Sequence, residues 1–133
     1  PGEGIYDPET TDRAYAEQRR EAELLLRAGN GVVLDASWSK EPHRRAVREL
    51  ARECGAELVE IECTLAPALA RERIARRLSN PHNPSDATPD LVDYMAARRD
   101  AWPEAIPVST EAGIEQVTAR AVDEIARQSV RVY

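Results

Sequence analysis

Asp35 closes the apolar run Val32-Val33-Leu34. A carboxylate placed directly after a buried strand can hold the hydrated magnesium of a nucleotide. The same residue could equally be a turn or helix-cap aspartate, because Ala36 and Ser37 follow it. A second candidate is the run Glu72-Arg73-Ile74-Ala75-Arg76-Arg77. Arg73 and Arg77 stand four apart, so they project from one face of a helix. Two guanidiniums there, beside a loop rich in proline and asparagine, could clamp phosphate oxygens and stack on a base. The plainer alternative is a solvated basic face paired with Glu72 or Glu104. Beyond the loop, Ser85-Asp86-Ala87-Thr88 need be no more than a turn and a helix cap.

Other chemistries lack their residues. The phosphate cradle G-x-x-x-x-G-K-[ST] does not occur in the 133 residues, and Gly29-Asn30-Gly31 precedes a strand rather than following one. No Ser-His-Asp arrangement can be argued: His43 reads as a first-turn helix residue and His82 as a loop residue. Cys54, Cys63, His43 and His82 fall in no metal-ligand spacing, and both cysteines read as buried, reduced thiols. A net charge of -6 argues against a nucleic-acid platform while leaving room for a local basic pocket. No apolar run approaches the ~20 residues of a membrane helix, and no basic-apolar leader opens the sequence. The expectation is a cytoplasmic protein with no membrane partner.

These candidates must be positioned by a chain of one domain's length, 133 residues. Asp7 and Pro8 predict a helix start, and Gly29-Asn30-Gly31 its end near Ala28. Tyr15, Ala22, Leu25 and Leu26 form its apolar stripe. Val32-Val33-Leu34 follows as a short buried strand. Ser39 caps a helix from about Lys40 to Cys54, with Gly55 just beyond. Leu58–Cys63 is the second strand, and Thr64 caps a helix running to about Leu78. Ser79–Ala87 is a loop, and Thr88-Pro89 restarts a helix with Leu91, Tyr94 and Met95 inward. A third strand near Ile106-Pro107-Val108 leads to a last helix, Gly113–Ser129, with the stripe Ile114, Val117, Ala121, Val122 and Ile125. Alternating helices and strands predict an α/β fold with a parallel sheet. Three strands are few for such a sheet.

Taken in order, GEGIYDPETTDRAY (Gly2–Tyr15), GVVLDASWSKEPHRR (Gly31–Arg45), ECTLAPALARERIARR (Glu62–Arg77), SDATPDL (Ser85–Leu91) and WPEAIPVST (Trp102–Thr110) resemble the later two-thirds of a P-loop small-molecule kinase domain of the gluconate-kinase-like and zeta-toxin-like group. The variety most similar is the ATP-binding domain fused behind an aminoglycoside-phosphotransferase-like domain in bacteria. The resemblance implies a three-layer parallel sheet with helices on both faces, and ATP and magnesium as cofactors. It makes Asp35 the water-mediated metal ligand. Arg73 would pack on the adenine, and Arg77 would reach the phosphates as a catalytic group. Residues 79–100 would form a mobile lid, and Ser109 and Thr110 would lie beside the adenine. Trp38, His43 and Arg45 would face a small-molecule acceptor.

The family's P-loop strand and the strand bearing its acceptor-side base come before the stretch matched here. The resemblance therefore implies a partial domain, completed by a missing N-terminal segment or by a second chain. Little catalysis is expected without them, since phosphoryl transfer rests on positioning and charge neutralisation. The family's strand order, 2-3-1-4-5, would leave Val32–Asp35 without a neighbour and two buried edges unpaired. The alternative is a non-catalytic scaffold or regulatory relic.

Overall fold

The computed structural model describes residues 7–130. Residues 1–6, and with them the first residues of the Gly2–Tyr15 match, lie outside the described residues. The chain divides into two units, one up to Leu58 and one from Val59 onward.

The first unit is a pair of helices and the loop between them. Asp7 caps α1 (Pro8–Arg27), its carboxylate accepting from Thr10 N–H at 3.0 Å, with Pro8 supplying a ready-set φ in the first turn. At the other end Gly29, at φ +85°, lets its own N–H reach Leu26 O at 2.9 Å and Asn30 N–H reach Leu25 O at 3.0 Å. This reciprocal pair is the turn that glycine makes possible beyond a helix. Gly55, at φ +63°, ends α2 (Glu41–Glu53) in the same way, with Ala56 N–H on Ala51 O at 2.8 Å. Lys40, not Ser39, occupies the α2 N-cap, one residue later than expected, and no side chain caps it. Tyr15, Ala22, Leu50 and Ala51 are buried, whereas Leu25 of the expected stripe is 48% exposed. Arg44 is also buried, its guanidinium donating to Ser39 O at 3.4 Å and lying 3.9 Å from the Glu41 carboxylate.

Val32–Leu34 corrects the sequence reading most sharply. It forms no strand among the described residues, and Val33 is 94% exposed. A strand is a paired object: its N–H and C=O groups need a neighbouring ladder, and none of the described residues supplies one.

The second unit holds a two-stranded parallel sheet, β1 (Ile61–Thr64) and β2 (Ile106–Ser109), in the register Ile61↔Ile106 to Thr64↔Ser109. β1 begins at Ile61 rather than Leu58, because its partner begins at Ile106, whose N–H already bonds Glu60 O at 2.9 Å. Ile106 and Thr110 both donate to the β1 side, so by the two-residue period Pro107 turns its missing N–H to the outer edge. Proline there blunts that edge against further pairing. Val108 is buried at the centre, whereas Cys63 is exposed rather than buried, since two strands leave much of each face uncovered.

Three helices complete this unit: α3 (Pro67–Leu78), α4 (Asp90–Arg98) and α5 (Ile114–Val130). Thr64 stays in β1 and does not cap α3; Pro67 opens the helix and holds Ala66 extended at ψ 135°. Arg71 ties α3 to Asp93 of α4 at 2.8 Å. Tyr94 is half-exposed rather than inward, with the Arg98 guanidinium 3.7 Å above its ring. In α5, Val117 and Ala121 are half-buried while Ile114, Val122 and Ile125 are exposed, a stripe wider than two strands can cover. The architecture is thus α/β, five helices with a small parallel sheet; the described residues do not form three layers.

Candidate functional site

The carboxyl ends of parallel strands are where open α/β sheets bind ligands. In the second unit that end is stitched closed by hydrogen bonds. Thr110 donates to Thr64 O twice, from its N–H at 2.8 Å and from its Oγ1 at 3.0 Å. Ser109 Oγ accepts from Glu111 N–H at 3.3 Å. Arg73 then reaches across from α3, its Nη2 donating to Thr110 O at 2.7 Å and to Glu111 O at 3.3 Å. The structure therefore brings Arg73, Ser109 and Thr110 together, with the two hydroxyls engaged in holding the turn.

One helical turn further on, the character changes. Arg73, Arg76, Arg77 and Asn80 line a recess of about 360 Å³. Arg76 pairs with Glu72 at 2.5 Å. Among the described residues, the Arg77 guanidinium meets neither a carboxylate nor a hydrogen-bond acceptor. Arg76 thus pairs with Glu72 as the basic-face alternative expects, while Arg77 is exposed and pairs with neither Glu72 nor Glu104. Beyond Asn80 the loop is held by its own side chains: Asn80 Oδ1 accepts from His82 N–H at 3.0 Å, Asn83 Oδ1 from Ser85 N–H at 3.2 Å, and Ser85 Oγ from Ala87 N–H at 3.2 Å. Such local turns let a polar loop stand without a core. Arg76 and Asn80 escaped the sequence reading as site residues; the three-residue spacing of Arg76 from Arg73 on α3 would have found the first, whereas Asn80 lies past the end of the helix.

In the first unit, Asp35 lies on the loop between α1 and α2. Its carboxylate is exposed and has no protein partner among the described residues; only its backbone O is held, by Gln18 Nε2 at 3.3 Å. The next helix begins six residues later, so Asp35 caps nothing. A lone exposed carboxylate fits a magnesium ion that keeps most of its waters and takes its other ligands from phosphate. Among the described residues no group of three carboxylates, histidines or cysteines offers an all-protein cage.

Around Tyr15 the same loop is fastened tightly. The Tyr15 hydroxyl accepts Trp38 N–H at 3.1 Å and lies 3.2 Å from Ser37 Oγ. Its ring stacks on His43 at 4.1 Å and tilts against Trp38 at 4.8 Å. His43 Nε2 in turn lies 3.2 Å from Asp12 Oδ1. Trp38 and His43, expected on the acceptor side, are thus brought together, but Arg45 is not. It is exposed and 3.8 Å from Glu41, on the far side of α2 from His43.

The sequence profile of the family described as the AAA domain matches residues 2–102. The chain belongs to the AAA domain family. Membership makes this a P-loop kinase-type domain and points to a nucleotide-binding, kinase-like function; domains of this family generally bind nucleotide with magnesium. Among curated proteins the chain is 30% identical over 118 residues to the uncharacterized protein Rv2004c of Mycobacterium tuberculosis and, equally, to the uncharacterized protein Mb2027c of Mycobacterium bovis. Each match covers 89% of this chain and 23% of the relative. The chain therefore spans about a quarter of the length of these relatives. No solved structure matches. Among the described residues no helix is long and apolar enough to cross a membrane.

Proposed function

We propose that this AAA domain chain is the magnesium- and lid-bearing part of an ATP-dependent small-molecule kinase. The complete domain transfers the γ-phosphoryl group of ATP to a hydroxyl of a small polar acceptor. The observation that carries this reading is the contrast between two arginines on α3. Arg73 is fastened to the turn at the strand ends, and Arg77 one turn later has an unengaged guanidinium at a basic recess. Arg77 meets the phosphates and neutralises charge as it develops in transfer. Arg73, Ser109 and Thr110 form the adenine side, Asp35 holds the hydrated magnesium, and residues 79–100 close as a lid. Trp38, His43 and Arg45 belong to the acceptor side.

The backbone amides and lysine that cradle the phosphates, and the base that takes the acceptor proton, come from outside these 133 residues. A longer polypeptide or a second chain supplies them. Pro107 supports this order of strands: with the outer edge of β2 blunted, the sheet grows only beyond β1, which is where a central P-loop strand belongs. The three-layer sheet belongs to that completed domain. A likeness to the ATP-binding domain behind an aminoglycoside-phosphotransferase-like domain, and a cytoplasmic location without nucleic-acid or membrane partners, are parts of the same proposal.

The absent G-x-x-x-x-G-K-[ST] cradle favours a second reading, a non-catalytic scaffold or regulatory relic. Asp35→Asn in the full-length protein separates the two. For the kinase it cuts magnesium-dependent ATP turnover by about 100-fold, a loss of a few kcal/mol of charge stabilisation, with little change in melting temperature. Unchanged turnover removes the metal role of Asp35. A full-length protein that neither binds nor turns over ATP is the scaffold.

A further inference from the structure

We infer that Tyr15 is the positioning residue of the metal site: its hydroxyl fixes the conformation of the Asp35–Trp38 loop. The inference rests on the reading of Asp35 as the magnesium ligand. Trp38 has φ +49°, a left-handed conformation that a bulky residue adopts only when its surroundings impose it. Three contacts impose it here. Trp38 N–H donates to Tyr15 Oη at 3.1 Å, its indole Nε1 donates to Leu34 O at 3.4 Å, and its ring lies against the Tyr15 ring. Because Tyr15 Oη accepts from Trp38, its own proton is available to Ser37 Oγ at 3.2 Å.

Tyr15 can hold the loop because it is itself held. It is 8% exposed, sits near the middle of α1, and stacks on His43 of α2. One turn further along α1, Gln18 grips the backbone O of Asp35. Two side chains of one helix thus clamp both ends of a four-residue segment that no strand pairing supports. The Asp35 carboxylate is left exposed at a defined place, the condition for a single-carboxylate magnesium site.

The test is the magnesium dependence of ATP binding by the full-length protein, followed by calorimetry in wild type, Tyr15→Phe and Asp35→Asn. Tyr15→Phe keeps both ring contacts and removes only the hydroxyl. It should raise the magnesium concentration for half-maximal enhancement of binding about fivefold, the worth of one to two hydrogen bonds. ATP binding in EDTA should not move, which a merely structural loss would not achieve. Ser37→Ala removes one of the two hydroxyl contacts and should shift the magnesium requirement the same way by about twofold. It decides the matter if Tyr15→Phe does not fold. An unchanged magnesium requirement in the Tyr15 or Ser37 variant, with a raised one in Asp35→Asn, overturns the inference and spares the metal site. An unchanged requirement in Asp35→Asn overturns the metal reading itself.

Discussion

Val32-Val33-Leu34 and Ile106–Ser109 are both short, largely apolar and bounded by turns, yet only the second is a strand. The difference lies in what each meets. Ile106–Ser109 has Ile61–Thr64 alongside in parallel register, and Val108 is 1% exposed. Val32–Leu34 has no ladder among the described residues, and Val33 is 94% exposed. The segment that follows it, Asp35–Trp38, is held from the side, by Gln18 and Tyr15 of α1. One candidate region is therefore built on backbone pairing and the other on side-chain clamps.

The largest expected effect follows from that contrast. Val108→Ala should destabilise the chain by about 2 kcal/mol, through lost burial and the cavity left behind. Val33→Ala in the 133-residue chain should stay within about 0.5 kcal/mol, as at other exposed positions. Urea denaturation of both variants measures this. If a neighbouring strand completes the sheet in a longer polypeptide, Val33→Ala there should cost about 1 kcal/mol or more. Equal costs at both positions in the short chain would erase the contrast.

Arg73 and Arg77 sharpen it at the next level down. Arg73 donates to two carbonyls, so Arg73→Ala should cost about 1.5 kcal/mol of stability by stripping a charged donor from the β2 turn. Arg77→Ala removes no internal bond and should leave the unfolding midpoint in place. It should instead weaken ATP binding by the full-length protein about tenfold, a loss in the range of one charge-assisted contact. A fall in stability with unchanged ATP binding would return Arg77 to the solvated face.

The parts that could be read in the residues were those decided locally. Asp7 and Pro8 start a helix, and Gly29 and Gly55 end helices, through bonds made within a few residues. The four-residue spacing of Arg73 and Arg77 is likewise a local property of a helix. The Val32–Leu34 strand failed because pairing is not local: the same run is strand or loop according to a partner elsewhere. Ser39 and Thr64 were misplaced as caps because several residues before each helix could serve, and proline geometry at Pro67 outweighed the threonine. Tyr15 was legible as an apolar position and not as a clamp, since nothing in its neighbours states that Ser37 and Trp38 return to its hydroxyl. The engagement of Arg73 with Thr110 and Glu111 was hidden for the same reason, the first pair standing 37 positions apart.

The smallest expected effect lies two residues from Tyr15, on the wet face of α1. Glu17 and Arg20 form a forked pair, Nη2–Oε1 at 2.5 Å and Nε–Oε2 at 3.1 Å, with both side chains more than half exposed. The side-chain hydrogen bond from Arg20 holds the Glu17 carboxyl below its ordinary range. A carboxyl depressed in the folded state contributes stability above its unfolded pKa, and that contribution is lost as pH falls through the lower folded value. Water and salt screen the pair almost completely. Glu17→Gln should therefore leave the melting temperature at pH 7 unchanged within error. Any wild-type advantage should fade as the solution is acidified below about pH 4, the ordinary glutamate range, and should vanish in molar salt. A clear loss at pH 7, persisting in salt, would mean that the wet face of α1 carries an interaction as firm as the one Tyr15 makes on its buried side. The division between clamp and surface along this helix would then have to be redrawn.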